Sequence, residues 1–492
     1  MAQTDITKTS QSRVFMTLSA GSPKVAPAYQ TCLVLGGVSQ SFGDREPIYC
    51  QDPYTIGKFV TVGMTESPAE SVESSLNGRF SSTARSTLIR AAQAQAPVDV
   101  HVHVGAVGSN PTIFNQYRMK IVFEGARFSS VDIDELGSHE EDSPVGHSVD
   151  FTADNWYQLV PLVFSERGAA QTAQEITAAW LHYNGDLAKP PKERIVALAV
   201  SKAGTGVKAD FYYSIDAGTT WYATTIDSLA TEKDASGVAV IGEYVVVTSS
   251  EVASMAYMLL SALDGVVVPD FTEVTTGFVA AKFPNALYSI GSVGFLACED
   301  GYVYKTTNPA GGVTTMSAGA ATSEDLLAIH ALDETTIVAV GEANAVIVCR
   351  DGENFTAVTG PAVGVNLTSV CCLTDRVYLV GTADGKLWYT DNAGSSWTEK
   401  SFPSSGSGVV NSIRFSTRLV GYLSHTLSGA GRLLQTTDGG YSWTLVPTAG
   451  LASITDKLAA VAVTAADVNL VMAAGLDNGG TVGTVIIGEP TE

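Results

Sequence analysis

The chain carries little charge, and little of what it carries is positive. Of 492 residues 16% are charged, and 28 Lys and Arg stand against 50 Asp and Glu, a net charge of −22. No basic cluster interrupts this acidity, which argues against recognition of DNA or RNA through the phosphate backbone. An acidic wall still suits a passage along which nucleic acid slides without sticking. Cysteine is scarce too. The six, at positions 32, 50, 298, 349, 371 and 372, include no Cys-x-x-Cys pair. That disfavours a disulfide framework or a zinc site and fits buried small apolar side chains. Cys371 and Cys372 are adjacent and so face opposite sides of a strand. No run of about 18 apolar residues is present, so no membrane-spanning helix is expected. Met1 to Ser12 is polar and lacks the apolar region of a secretory signal. The expectation is a protein assembled in a cytoplasm, where the Asn354-Phe-Thr and Asn366-Leu-Thr sequons mean little.

Hydrophobic residues make up 45% of the chain and glycine contributes 47 positions. Both suit a folded protein rich in β-structure and tight turns. The length favours two domains.

The second part repeats. Ser214-Ile-Asp216-Ala-Gly218-Thr-Thr-Trp221, Thr390-Asp-Asn392-Ala-Gly394-Ser-Ser-Trp397 and Thr436-Thr-Asp438-Gly-Gly440-Tyr-Ser-Trp443 share the pattern Ser/Thr-x-Asp-x-Gly-x-Ser/Thr-Trp, with Asn392 replacing Asp once. Weaker copies fall at Asp264-Gly265, at Asn308 and at Asp351-Gly352 with Phe355 near the Trp position. Positions 216, 264, 308, 351, 392 and 438 step by 41 to 48 residues, the length of a four-stranded propeller blade. At each turn the side-chain oxygen of Asp or Asn accepts backbone N–H groups, Gly supplies a left-handed conformation, and Trp opens the last strand and packs between sheets.

These residues resemble the Asp-box (BNR) repeats of sialidases and of photosystem II assembly factors, over about 194 to 489. The resemblance implies a β-propeller, of seven blades or alternatively six. Its first unit, from Ile195, looks short. Its last, built on Ala459–Val463, Asn469–Met472 and Thr484–Ile487, lacks a final strand, and the two incomplete units are expected to help close the ring. Sialidases use an arginine triad and a Tyr–Glu pair, usually with an early Arg-Ile-Pro motif. That motif is absent, and the propeller holds only Arg194, Arg350, Arg376, Arg414, Arg418 and Arg432. No catalytic residue, cofactor or metal is assigned. Asp216 and Asp438 read as turn residues.

Before the repeats, strands are expected at Arg13–Leu18, Gln30–Leu35, Lys58–Val62, Val98–Val104, Arg118–Phe123 and Trp156–Phe164, where Pro161 suggests an edge or bulge. One helix is expected over Thr87–Gln93, capped from Ser81–Thr83. The domains expected are a β-sandwich or barrel with one helix at 1–185, a linker at 186–193 around Lys189-Pro-Pro-Lys192, and a propeller at 194–492. The segments Gly125-Ala126-Arg127 to Asp134-Glu135-Leu136, Val149-Asp-Phe151 and Tyr157–Val160 resemble the closing strands of phage tail tube subunits, a family that joins a β-barrel with a helix and a long loop and stacks hexameric rings. In that light Pro68–Leu76 reads as a stacking hairpin or loop, and the acidic run from Asp132 to Asp142 as facing a lumen or a neighbouring ring, a solvated loop being the simpler reading. Asp99, His101 and His103 alternate on one strand and could hold zinc only with further ligands, so a half-buried β face is the simpler reading. Gly204-Thr-Gly206 lacks the third glycine and following helix of a phosphate loop.

The function this implies is a structural virion protein. It would be a major tail tube subunit that forms stacked homo-hexameric rings around a DNA passage, contacts other tail proteins, and displays the propeller outside. The alternatives are a module binding host-surface glycans or proteins, in a receptor-binding or capsid accessory role, and, last, a glycoside hydrolase.

Overall fold

A computed structural model describes residues 89–94, 97–104, 119–135, 146–166, 174–185, 189–229, 232–265, 270–361, 364–403, 405–446, 457–476 and 483–490, together with the backbone of the strands within 13–79. The chain divides into two compact units, Met1–Pro161 and Leu162–Glu492.

The first unit is a closed antiparallel barrel. Its strands are β1 (Arg13–Thr17), β2 (Gln30–Ser41), β3 (Pro47–Gln51), β4 (Phe59–Met64), β5 (Val72–Arg79), β6 (Val98–Val104), β7 (Met119–Glu135), β8 (Gly146–Ala153) and β9 (Asn155–Leu159). Pairing runs β6-β1-β2-β5-β8-β7, and a further pairing of β6 with β7 closes the ring. β3 and β4 form a separate hairpin inserted between β2 and β5. Residues 89–94 are helical, overlapping the expected helix and running one residue past it, while its proposed cap lies outside the described residues. β7 is long enough to serve two neighbourhoods, pairing with β6 and β9 through its first half and with β8 through its second. It bends at Gly125, whose φ is +65° and where a Cβ would strike the Asp154 carboxylate. The alternation of Val98, Val100 and Val102 places one face of β6 in a core with Phe123, Phe128 and Phe151. Phe123 and Phe151 meet edge to face at 5.2 Å.

The second unit is a ring of seven four-stranded antiparallel sheets. Their inner strands are β11 (Ile176–Tyr183) in blade 1, then Ala235–Ile241, Pro284–Ile290, Leu326–Ala331, Leu367–Cys372, Val409–Phe415 and Lys457–Thr464 in blades 2 to 7. Each inner strand touches the next, and the last returns to β11. Second strands such as Ile195–Ser201 are buried on both faces because every sheet is covered by a neighbour on each side.

Three expectations are corrected here. Blade 1 is not short, since β11 supplies its inner strand ahead of Ile195. Lys189–Lys192 is not an interdomain linker. Pro191–Arg194 form a short 3-10 turn within blade 1, and the unit boundary lies earlier, at Pro161. Trp156–Phe164 is not one strand. β9 ends at Leu159 and pairs in the barrel, while β10 (Leu162–Glu166) pairs with Gly483–Pro490 as the outer strand of blade 7. Pro161, with no N–H to give to a ladder, sits at the break. The final strand missing from the sequence of the last blade therefore comes from ahead of the first. In the barrel, Val72–Leu76 belongs to β5 and Asp132–Glu135 to β7, so neither is a free loop, and the rest of those two stretches lies outside the described residues.

Candidate functional site

The three Trp turns share one hydrogen-bond pattern, each between the third and fourth strands of its blade. In the first, the Ser214 hydroxyl donates to Asp216 Oδ1 at 2.7 Å and accepts the Gly218 N–H at 2.8 Å, while Asp216 Oδ1 also accepts the Thr220 N–H at 2.7 Å. In the second, Thr390 Oγ1 donates to Asn392 Oδ1 at 2.9 Å, and the Gly394 and Ser396 N–H groups close the turn at 3.0 and 2.8 Å. In the third, Thr436, Asp438, Gly440 and Ser442 repeat the arrangement. The Ser or Thr at the head of each turn is fully buried. Gly218, Gly394 and Gly440 have φ of +86°, +87° and +87°, and each lies against the preceding blade, on Ile487, Val358 and Leu379. A side chain there would meet both a conformational and a steric penalty. Trp221 and Trp443 donate Nε1–H to their own turn glycine carbonyls, whereas Trp397 donates to Thr359 O in the preceding blade at 2.8 Å.

Burial alone would raise the Asp216 carboxyl, but the Thr220 N–H and the Ser214 hydroxyl override it and hold the group below its ordinary range. Asp351, at a weaker copy of the turn, is also held down, first by the Asn354 side-chain amide and then by the N–H groups of Asn354 and Glu353. These carboxylates are occupied by the chain that surrounds them. Gly204 and Gly206 lie in a turn where the Val207 N–H donates to Gly204 O and the Gly206 N–H to Glu232 Oε1.

In the barrel, the buried Asp99 carboxylate accepts the Gly125 N–H at 3.0 Å beside the bend in β7. Among the described residues no three His, Cys, Asp or Glu side chains converge as a metal set. Cys298, Cys349, Cys371 and Cys372 are free and buried, and the adjacent pair points into two different blade interfaces.

The side chains that converge line the propeller's central channel, and most lay outside the sequence reading. At its mouth, Glu175 pairs with Lys202 at 2.7 Å and with Lys457 at 2.5 Å. Burial would raise the Glu175 carboxyl, but the two ammonium groups outweigh it and lower the value, and the same contact raises Lys202. This mouth encloses about 350 Å3. Just inside, every inner strand carries a bulge near its start. The bulge residues are Thr177, Ser236, Asn285, Leu327, Thr368, Asn411 and Ala459, and all line the mouth. Five of them donate to a carbonyl of the next inner strand: Thr177 to Ala235 O, Ser236 to Pro284 O, Asn285 to Leu326 O, Thr368 to Val410 O and Asn411 to Leu458 O, at 2.5 to 3.0 Å. Leu327 and Ala459 lack a donor, so this belt of clasps has two gaps.

Three residues beyond the bulges the strands bring up Trp180, Tyr288, His330, Cys371 and Arg414. Trp180 meets Tyr288 edge to face at 5.5 Å, Tyr288 lies 4.2 Å from His330, and the Arg414 guanidinium sits 5.5 Å over the Tyr288 ring. The Cys372 N–H donates to His330 Nδ1, which leaves the ring proton on Nε2, 3.6 Å from Cys371 Sγ. Arg414 was visible in the sequence as an arginine without a role. Its partners were not, because they come from blades scattered over the whole repeat.

No family model matches the sequence, and no curated protein matches it. Solved structures do. The structure described as YCF48 bound to D1 peptide has a TM-score of 0.50 at 14% identity, covering 68% of this chain and 96% of its own. YCF48 from Cyanidioschyzon merolae has a TM-score of 0.50 at 12% identity, covering 66% and 99%. The RRP9 WD40 repeats have a TM-score of 0.50 at 11% identity, covering 66% and 97%. At this identity the likeness is one of fold, and the fold is a β-propeller.

Proposed function

We propose that the chain is a non-enzymatic interaction protein whose propeller is its binding module. The observation that carries this is the state of the carboxylates at the channel mouth and in the Trp turns. Glu175, at the channel mouth, is held between two lysines, and Asp216 is taken up by its own turn. A glycoside hydrolase needs a pair of available carboxyl groups across a cleft, and a sialidase needs clustered arginines. Among the described residues Arg414 is the one arginine that lines the channel. The turns match the Asp-box pattern in residue type and in hydrogen bonding, which supports that assignment for the propeller. One of the similar structures is bound to a peptide, and host-surface glycans or proteins are the ligands we assign to this one. Binding of the full-length chain to glycan and peptide arrays tests the reading. Saturable binding without substrate turnover is expected, and release of sugar from a bound glycan would overturn it.

A second reading rests on the barrel. The closed antiparallel barrel and the helix at 89–94 are compatible with the barrel and helix that the resemblance to tail tube subunits implies. With a net charge of −22, such a ring would pass DNA without binding it. On this reading the protein belongs to the virion tail, assembles in the host cytoplasm as stacked hexamers, and carries the propeller as a decoration. Negative-stain electron microscopy of the concentrated full-length protein would show rings or tubes with outer knobs. Monomers at every salt concentration would dismiss the tube and leave the binding module standing.

A further inference from the structure

Arg414 is a cation whose surroundings hold no counter-charge. Among the described residues it forms no ion pair. Its one hydrogen bond runs from Nη1 to the carbonyl of its own neighbour, Ile413, at 2.9 Å. A guanidinium has five N–H donors, so most of them are uncommitted. The side chain lines a cavity of about 160 Å3 bounded by all seven inner strands.

The groups around it are neutral. Burial pushes the Tyr288 hydroxyl and the Cys371 thiol each up to about 12, and pushes His330 well below its ordinary value, so none is charged near neutral pH. The acidic groups of the channel lining, Glu175 and Asp234, lie at its mouth. Glu175 is five residues before Trp180, roughly 16 Å along a strand, and both its oxygens are held by lysines, while Asp234 Oδ1 accepts the Ala203 N–H. A cation walled by neutral groups and withdrawn from bulk water attracts an anion more strongly than it would in water.

We propose that the channel binds one small monovalent anion, the size of chloride or formate, on the Arg414 guanidinium. A space of about 160 Å3 suits an anion of a few heavy atoms. The hydroxyl of Ser412 belongs to the same lining and supplies a further donor. The ring of Tyr288 holds the guanidinium plane from the opposite blade. The anion enters through the mouth, where Lys202 and Lys457 offset Glu175 and Asp234.

The test is thermal unfolding of the full-length chain in potassium gluconate, whose anion is bulky and polyhydroxylated, with chloride or formate substituted at constant ionic strength. A rise in Tm of about 2 °C or more is expected with the small anions. Arg414→Met, which keeps the length and removes the charge, should abolish the rise, and Arg414→Lys should retain part of it. Which anion acts separates an inorganic ion from a carboxylate. Equal responses in wild type and Arg414→Met, or an equal effect of added gluconate, would overturn the proposal. Should Arg414→Met fail to fold, calorimetric titration of the wild type decides. Saturable heat with chloride or formate supports the site, and its absence with both refutes it.

Discussion

Asp216 concentrates the logic of the repeat in one side chain. A single oxygen accepts from Ser214 and from Thr220, both within four residues. Asn392 does the same work with an amide oxygen, so charge is dispensable at this position and the acceptor is not. Asp216→Asn should therefore leave stability at pH 7 nearly unchanged, while Asp216→Ala should cost about 1–2 kcal/mol. The folded carboxyl lies below its ordinary value, so its contribution is complete above the unfolded value and disappears as pH falls through the folded one. Urea midpoints at pH 7 and pH 3 would show this, the wild type losing more on acidification than Asp216→Asn. An equal loss in the two would remove Asp216 from the acid response. Such turns are legible in sequence because donor, acceptor, glycine and tryptophan lie within eight consecutive residues. Arg414 and His330 are not, because what surrounds them is assembled from strands more than 40 residues apart.

At the scale of the strand, the bulges explain why small polar residues recur near the start of the inner strands. A bulge turns one side chain toward the neighbouring blade, where Thr, Ser or Asn ties the two together through a backbone carbonyl. Thr368→Val keeps the shape and removes the donor, and should cost about 1 kcal/mol. Ala459→Ser adds a donor at one of the two gaps and should gain a few tenths to about 1 kcal/mol. Denaturant midpoints of the two variants check both signs, and a destabilised Ala459→Ser would show that the gap lacks the geometry of the other links. Third strands followed by Asp and Gly could be read in advance, and so could most of the barrel strands. Trp156–Phe164 misled because hydrophobic alternation reports that a segment is extended and says nothing about which sheet receives it. The partners of its second half lie at the far end of the sequence.

At the scale of the molecule, the ring depends on two strands that precede the recognisable repeats. A fragment of residues 162–492 retains seven complete blades, whereas one of residues 194–492 lacks β10 and β11 and leaves two blades with unpaired edges. The longer fragment should be monomeric and unfold cooperatively, and the shorter should aggregate, as gel filtration and circular dichroism would reveal. Comparable behaviour of the two would mean that closure does not require the early strands. That closure also imposes an order in time. β10 leaves the ribosome early, yet its partner at Gly483–Pro490 follows roughly 300 residues later. At ordinary rates of synthesis the delay is on the order of 15 to 60 s. The barrel and six blades can form in that interval, while one strand waits with a bare edge for the last residues of the chain to dock and seal the circle.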